Sequence, residues 1–313
     1  MKIFYNFHKF LQSPSGSKRF AVGIGVFDGV HKGHKSILGA IIKKAKAKKL
    51  LSLVITFHPH PGNVLKRSKK IPLLISLKHR LQLFKEMGID LCFVIPFTKK
   101  LSRMKSTDFL HRFFGKFSVK EIVLGKNFFF GKDQKGSQRV LEKFSKQYGY
   151  NVNVITSVKY SGKSISSTRI RRLILNGKLG KAARLLSRPV TVLGTVVRGE
   201  RRGRIIGFKT ANVNPHHEVI PPSGVYAVKV RLHRRIHKGI LNIGTKPTFT
   251  KGRYPAPEAT IEVYIFDFAK SIYKRDLEIS FVKRIRREKP FKNSSALGRQ
   301  IERDVKLARQ ILR

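Results

Sequence analysis

The sequence predicts an α/β doubly wound parallel sheet followed by a mainly antiparallel β-barrel with a C-terminal helix. Three observations predict it. Short apolar runs alternate with segments of helical periodicity from Phe20 to about Asn176, the pattern of a mostly parallel sheet with helical crossovers. After Ser187-Arg188-Pro189 the apolar runs become short strands separated by turns rich in Gly, Pro and Asn, which suits an antiparallel barrel or sandwich. The last stretch returns to helical spacing, with Leu297, Ile301, Val305 and Ala308 on one face. The expected domains are residues 1–187 and 188–313.

The first half is organised around FAVGIGVFDGVHKGHKS, residues 20–36. An apolar run over 21–26 ends in Phe27-Asp28-Gly29, and Gly33-His34 opens a helix reaching about Lys49. A strand, a turn bearing Gly25 and Gly29, and a helix start together bring backbone N–H groups and the positive end of a helix dipole to a phosphate. His31 and His34 face the same way on a first helical turn, so both rings can reach one anion. The spacing is neither GxGxxG nor GxxxxGK[ST]. Two alternatives stand beside this reading: ordinary polar turn roles, and metal ligation together with His58 and His60, for which the single Cys92 adds little. Asp28 is expected as an N-cap or turn residue.

Further along, LSLVITF over 51–57 reads as a buried strand, closed by His58-Pro59-His60-Pro61, whose prolines keep the loop extended. A helix over 77–87 and a strand over 91–96 follow, then a helix over 107–114 and a strand over 119–124. The loop GKNFFFGKDQKGS at 125–137 precedes a helix over 140–148 and a strand over 151–157. Ser166-Ser167-Thr168 then caps a helix over 169–176. Ligands of such sheets bind at the carboxyl ends of the strands, where His31, the His58 loop, the Gly125 loop and Ser167 converge. In the second half, strands are expected over 190–198, 224–232, 239–243, 259–268 and 277–285, with Ser294 or Ser295 capping the final helix. No internal repeat is present.

A chain of 313 residues, 41% hydrophobic with 23 Phe, can build two cores. One Cys excludes an internal disulfide and suits a reducing compartment. No run approaches a membrane span and the N-terminus has no uninterrupted apolar h-region, so a soluble, cytoplasmic protein is expected. The 67 Lys and Arg against 17 Asp and Glu, net +50, favour anionic partners. Because these residues are spread along the chain, they also fit a solvated basic surface or compositional drift. They permit nucleic acid as a partner without requiring it.

Three more stretches carry candidate chemistry. Ser166, Ser167 and Thr168 put hydroxyls at a helix N-terminus with Arg169 and Arg171 just inside, a triphosphate clamp or a plain cap. Gly207-Phe208-Lys209-Thr210-Ala211-Asn212 offers a hydroxyl and an amide oxygen of the kind Mg²⁺ accepts while holding phosphates, although the bare pattern reads first as a polar turn. Glu262 interrupts a largely apolar strand, either paired structurally or poised as a base.

In order along the chain, GVFDGVHKGH (25–34), FHPHP (57–61), GKNFFFG (125–131), ISSTRIR (165–171), GTVVRGERRGRIIGFKTAN (194–212), PPSGVYAVKV (221–230), NIGTKPTF (242–249) and EVYIFDF (262–268) resemble the bacterial bifunctional riboflavin kinase/FMN adenylyltransferase, or FAD synthetase, family. The resemblance implies an N-terminal Rossmann-like HxGH nucleotidyltransferase domain that transfers AMP from ATP to FMN, and a C-terminal kinase barrel that phosphorylates riboflavin. It implies ATP as co-substrate, FMN and FAD as products, and Mg²⁺. His31, His34 and Arg171 would be catalytic in the first domain. Gly25, Phe27, Asp28, Gly29, His58, Pro59, Asn127, Gly131, Ser166, Ser167 and Thr168 would line its nucleotide site. In the second, Gly203, Arg204, Gly207, Thr210 and Asn212 would bind nucleotide, Thr210 and Asn212 holding the metal. Glu262 would orient or deprotonate the ribityl hydroxyl.

The departures fall mostly in the kinase half: Lys209 where the family usually has Pro, Tyr264 for a frequent His, and Lys274 for a usual Gly. Losing the proline loosens the expected metal site. A basic nucleic-acid- or ribosome-associated protein on an enzyme-like fold is the alternative from another class. Adenylyl transfer to a pantetheine or nicotinamide phosphate shares the HxGH chemistry but leaves the second domain unexplained.

Overall fold

The structure is a computed structural model describing residues 1–65, 71–198, 208–216, 219–245 and 259–313. It divides into two compact units, Met1–Pro72 with Leu77–Ser167, and Leu73–Ser76 with Thr168–Arg313.

The first unit is built on six parallel strands: β1 (Lys2–Phe4), β2 (Arg19–Ile24), β3 (Leu51–His58), β4 (Leu91–Pro96), β5 (Ser118–Gly125) and β6 (Asn151–Ile155). They lie in the order β1-β4-β3-β2-β5-β6. The inner strands are apolar on both faces because helices cover a parallel sheet on both sides. Helices α1 (Phe7–Gln12), α2 (Lys32–Ala47), α3 (Pro61–Leu65), α4 (Leu77–Glu86), α5 (Lys99–Ser102), α6 (Ser106–Phe114) and α7 (Gln138–Tyr148) make the connections. Phe10, Phe20, Phe93, Phe109 and Phe113 fill one side of the sheet. Strand order runs outward from β2 in one direction and through β5 in the other. The switch point therefore lies between them, and the glycine-bearing segments leaving β2 and β5 sit where such sheets take ligands.

Several elements differ from expectation. β1 and α1 are additions at the sheet edge, α1 capped by Asn6, whose Oδ1 accepts from the Lys9 N–H at 3.1 Å. The His58–Pro59 bond is cis, and Pro61 opens α3 instead of extending the loop. Proline suits a first helical position, where its missing N–H costs nothing. Strands β7 (Lys159–Tyr160) and β8 (Lys163–Ser164) form a small hairpin before α8 (Ser167–Leu175), which starts at Ser167 and not at Arg169.

One buried carboxylate braces this sheet. Glu121, 1% exposed on β5, accepts from Asn153 Nδ2 at 2.7 Å and Asn151 Nδ2 at 3.2 Å, and pairs with Lys48 and, at 3.3 Å, Lys44 of α2. Burial pushes the carboxyl up, but the hydrogen bonds from Lys48, Asn151, Asn153 and Lys44 outweigh it and hold it at about 2, below the ordinary 4.5. Since the folded value is depressed, this stability is present above the unfolded pKa and lost as pH falls from about 4.5 towards about 2. Thermal melts should show Glu121→Gln destabilised by about 2 kcal/mol at pH 7, with the difference from the parent shrinking below pH 4, roughly the unfolded carboxyl range.

The second unit carries α8 from Thr168 onward, α9 (Leu179–Leu186) and a closed antiparallel barrel in the order β10-β13-β12-β11-β14-β9. Its strands are β9 (Thr191–Val197), β10 (Ala211–Pro215), β11 (Gly224–Leu232), β12 (Arg235–Thr245), β13 (Ala259–Ile265) and β14 (Asp276–Arg286). Alternation puts Tyr226, Val228, Leu241, Val263 and Ile279 inside. Val225, Ala227 and Ile240 face outward with Phe266, under Ala308 and Leu312 at the end of α10 (Ser294–Ile311). The cap of α10 is Asn293, whose Oδ1 accepts from the Ala296 N–H at 2.9 Å, and not Ser294 or Ser295. The strand absent from the expectation is β10. Its sequence, ANVNP, reads as a turn, yet pairing with both β9 and β13 makes it the strand that closes the barrel.

Candidate active sites

In the first unit the chain leaves β2 through a turn of positive φ angles: Phe27 at 53°, Gly29 at 87° and Val30 at 40°. Gly29 adopts this freely, whereas Phe27 and the β-branched Val30 do so at a cost. Packing over-determines the strained pair. Phe27 is 2% exposed, edge-on to His34 at 5.4 Å and to Phe84 at 5.8 Å, and a Cβ on Gly25 would press within 3.0 Å of its ring.

This turn delivers the histidines. His31 is the N-cap of α2, its Nδ1 accepting from the His34 N–H at 3.3 Å. With Nδ1 so used, the neutral ring carries its proton on Nε2. The cap role expected of Asp28 thus belongs to His31, and Asp28 is a buried turn residue. The two imidazoles stack 3.6 Å apart at 18°. Burial, then the neighbouring His31, then Arg80 hold His34 well below 6.5, so it is a neutral hydrogen-bonding ring near pH 7. Its Nδ1 is buried without a partner among the described residues.

Ser167 reaches this turn from 139 positions away, its Oγ donating to the Asp28 carbonyl at 2.8 Å. The start of α8 therefore adjoins the histidine turn within one unit. Ser166 precedes the helix; Thr168 and Arg171 continue it beyond the unit boundary. His58 and Pro59 are exposed at the end of β3, with His58 lowered by burial and by Arg80. His60 is engaged locally, its Nδ1 accepting from the Gly62 N–H at 3.0 Å. Among the described residues no three His, Cys, Asp or Glu gather to hold a metal ion. Asn127 and Gly131 lie in the segment after β5. Gly131 has φ 73° and packs so tightly on the N-terminus of α6 that a Cβ would come within 2.8 Å of the Ser106 backbone.

The residue missed in this region is Arg80 of α4, 5% exposed. It donates from Nη1 to the Val26 carbonyl and from Nη2 to the Phe57 carbonyl at 3.2 Å. A cation on the apolar face beside Leu81 and Phe84 was the only signal in the sequence.

In the second unit, cross-strand register aligns Asn212 of β10, Glu262 of β13 and Asn242 of β12 in one row across three adjacent strands, hence on one face. That face is the outer one, beside α10. A cavity of about 400 Å³ there is lined by Thr210, Asn242 and Glu262, by the aromatic rings of Phe208, Tyr264 and Phe291, and by the polar Arg286 and Lys289. Thr210 also lines a second cavity of about 180 Å³ with Val196, Lys270 and Tyr273. Asn242 was missed because one amide in an apolar strand carries no sign of its neighbours. Gly203, Arg204 and Gly207 lie outside the described residues, as does NIGTKPTF beyond Thr245.

The departures from the family pattern have local consequences. Lys274 occupies φ 60°, a conformation that explains why glycine is usual there. Tyr264 packs edge-on to Phe208 at 5.3 Å. Lys209 is exposed immediately before Thr210.

Comparison with known proteins follows the same division. A family model described as FAD synthetase matches residues 13–169, and one described as riboflavin kinase matches residues 186–312. Bifunctional riboflavin kinase/FMN adenylyltransferases are similar over most of their length. The one from Bacillus subtilis is 35% identical, over 90% of this chain and 89% of its own; that from Listeria monocytogenes is 34% identical, over 97% and 96%. That from Escherichia coli K12 is 32% identical, over 99% and 97%. A solved structure described as a macrolide-efflux protein from Streptococcus pneumoniae superposes with a TM-score of 0.83 at 29% identity, covering 99% of each chain. Among the described residues no helix is long and apolar enough to cross a membrane.

Proposed function

The chain belongs to the bifunctional riboflavin kinase/FMN adenylyltransferase family, and from that membership we propose which of its residues make FMN and which make FAD. The enzyme phosphorylates riboflavin with ATP and then transfers adenylyl from ATP to FMN, releasing pyrophosphate. We assign adenylyl transfer to residues 1–187 and riboflavin phosphorylation to residues 188–313, in the cytoplasm.

For adenylyl transfer, an FMN phosphate oxygen attacks the α-phosphorus of ATP while the bond to pyrophosphate breaks in line. No covalent enzyme intermediate is needed; positioning and charge stabilisation suffice. His31 and His34, stacked on the helix start, donate to the oxygens that gain charge. Gly25, Phe27, Asp28 and Gly29 shape the phosphate turn, Ser166 and Ser167 border it, and Thr168 and Arg171 are assigned to the triphosphate on the resemblance alone. His58, Pro59, Asn127 and Gly131 border the nucleotide. The observation that carries this assignment is the hydrogen bond from Ser167 Oγ to the Asp28 carbonyl, at 2.8 Å, which unites two motifs remote in sequence.

For phosphorylation, Glu262 takes the proton of the terminal ribityl hydroxyl as its oxygen attacks the γ-phosphorus of ATP, and the bond from that phosphorus to the β,γ-bridging oxygen breaks to release ADP. The aromatic cavity beside Glu262 suits an isoalloxazine ring, and the smaller cavity beyond Thr210 suits the nucleotide. Gly203, Arg204 and Gly207 are assigned to nucleotide binding on the resemblance alone. The hydroxyl of Thr210 and the amide oxygen of Asn212 are hard donors, so this set fits Mg²⁺ held jointly by protein and phosphates. When bound, the ion supplies neutralising charge on the phosphates.

Nothing in the comparisons favours the nucleic-acid-binding alternative. Purified protein given riboflavin, ATP and Mg²⁺ should form FMN and then FAD, resolved by chromatography. Formation of neither flavin nucleotide would end this reading.

A further inference from the structure

We propose that Arg80 is a positioning residue for adenylyl transfer, its guanidinium fixing the histidine turn and the His58 strand end to one another from behind the phosphate site. The proposal rests on assigning His31 and His34 to that reaction.

Arg80 bonds two carbonyls at the ends of neighbouring strands, one two residues past β2 and the other at the penultimate residue of β3. Val26 is the residue before the strained Phe27 turn, and Phe57 is the residue before His58. Thr56 Oγ1 also donates to the Val26 carbonyl, at 3.2 Å, so that oxygen is held from two directions. A buried guanidinium is an expensive way to join two loops, since it must be desolvated and its donors satisfied. Here the requirement is incompletely met: Nε is buried without a partner among the described residues. Stability alone gives little reason for such a group where an apolar side chain would pack.

The charge itself acts on the site. Asp28, Cys92, His34 and His58 are its electrostatic neighbours. Burial lowers both histidines first, His31 adds to it at His34, and the Arg80 charge lowers both further. A cation thus acts on the rings assigned to the phosphates while its own donors are turned to backbone carbonyls. It also disfavours a proton on the rings that are to donate neutral N–H bonds. Cys92, whose thiol is pushed up to about 12 mainly by burial, stays un-ionised and takes no part.

The test compares Arg80→Lys and Arg80→Met in the full chain, measuring FAD formation from FMN and FMN formation from riboflavin separately. Misplacement of the turn should lower kcat for FAD formation about 100-fold in Arg80→Met. Arg80→Lys keeps the charge but not the fork, so the loss there should be roughly tenfold. Riboflavin phosphorylation should be unchanged in both. The imidazole resonances of His34 should titrate at higher pH in Arg80→Met and at the parental pH in Arg80→Lys, a shift that mere loosening of the fold does not predict. If Arg80→Met melts the first unit, Arg80→Lys decides alone: a reduced kcat with parental melting and parental His34 titration supports the proposal, and an unchanged kcat overturns it. Arg80→Met within about threefold of the parent, or Arg80→Lys no faster than a folded Arg80→Met, also overturns it. His31→Ala separates the two levels. If it retains FAD formation, the site assignment fails; if it loses FAD formation while Arg80→Met does not, only the role of Arg80 fails.

Discussion

Replacing His31 with alanine is expected to cut FAD formation from FMN by about 10²–10³-fold in kcat while riboflavin phosphorylation keeps its parental rate. Two effects combine in that substitution. The ring assigned to donate from Nε2 to a charge-gaining phosphate oxygen is lost, and so is the acceptor that caps α2 at the His34 N–H. Losing the cap costs stability of about 1 kcal/mol, which a thermal melt reads independently. His31→Asn separates the contributions, because asparagine is a good N-cap but has no imidazole. It should restore the melting temperature and leave FAD formation defective. Full activity in His31→Asn would reduce His31 to a capping residue and remove it from the chemistry.

The second large effect is expected at Glu262. Glu262→Ala should lower FMN formation about 10²–10⁴-fold, the range for loss of a positioned proton acceptor, while FAD formation from supplied FMN continues. The residue sits on the outer face of β13 between Asn212 and Asn242, beside the aromatic cavity, where a carboxylate can meet a hydroxyl-bearing ligand. A structural carboxylate would behave otherwise: Glu262→Gln would keep the shape of the row and most of the rate. The base role predicts that Glu262→Gln is nearly as slow as Glu262→Ala. With both experiments done on one chain, each unit serves as the folding control for the other.

Much of the fold follows from local patterns. The inner strands of the parallel sheet are apolar on both faces, and each lies within a few residues of where the apolar runs indicate. β10 was illegible for a physical reason. A strand defined by two neighbours needs little β-propensity of its own, and ANVNP has almost none outside Val213. Tertiary context likewise chose the cap of α10 and turned Pro61 into a helix start.

By itself, the sequence determined the succession of a parallel α/β unit and an antiparallel barrel, and the motifs that mark its family. Apolar periodicity and motif spacing are local, so the chain spells them out directly. Only the tertiary structure decided that His31, and not Asp28, caps α2, that Ser167 meets the Asp28 carbonyl, that Arg80 spans two strand ends, and that Asn212, Glu262 and Asn242 form one row. Each depends on register or on side chains that converge across the sheet. Those are properties of packed elements, and no single segment encodes them.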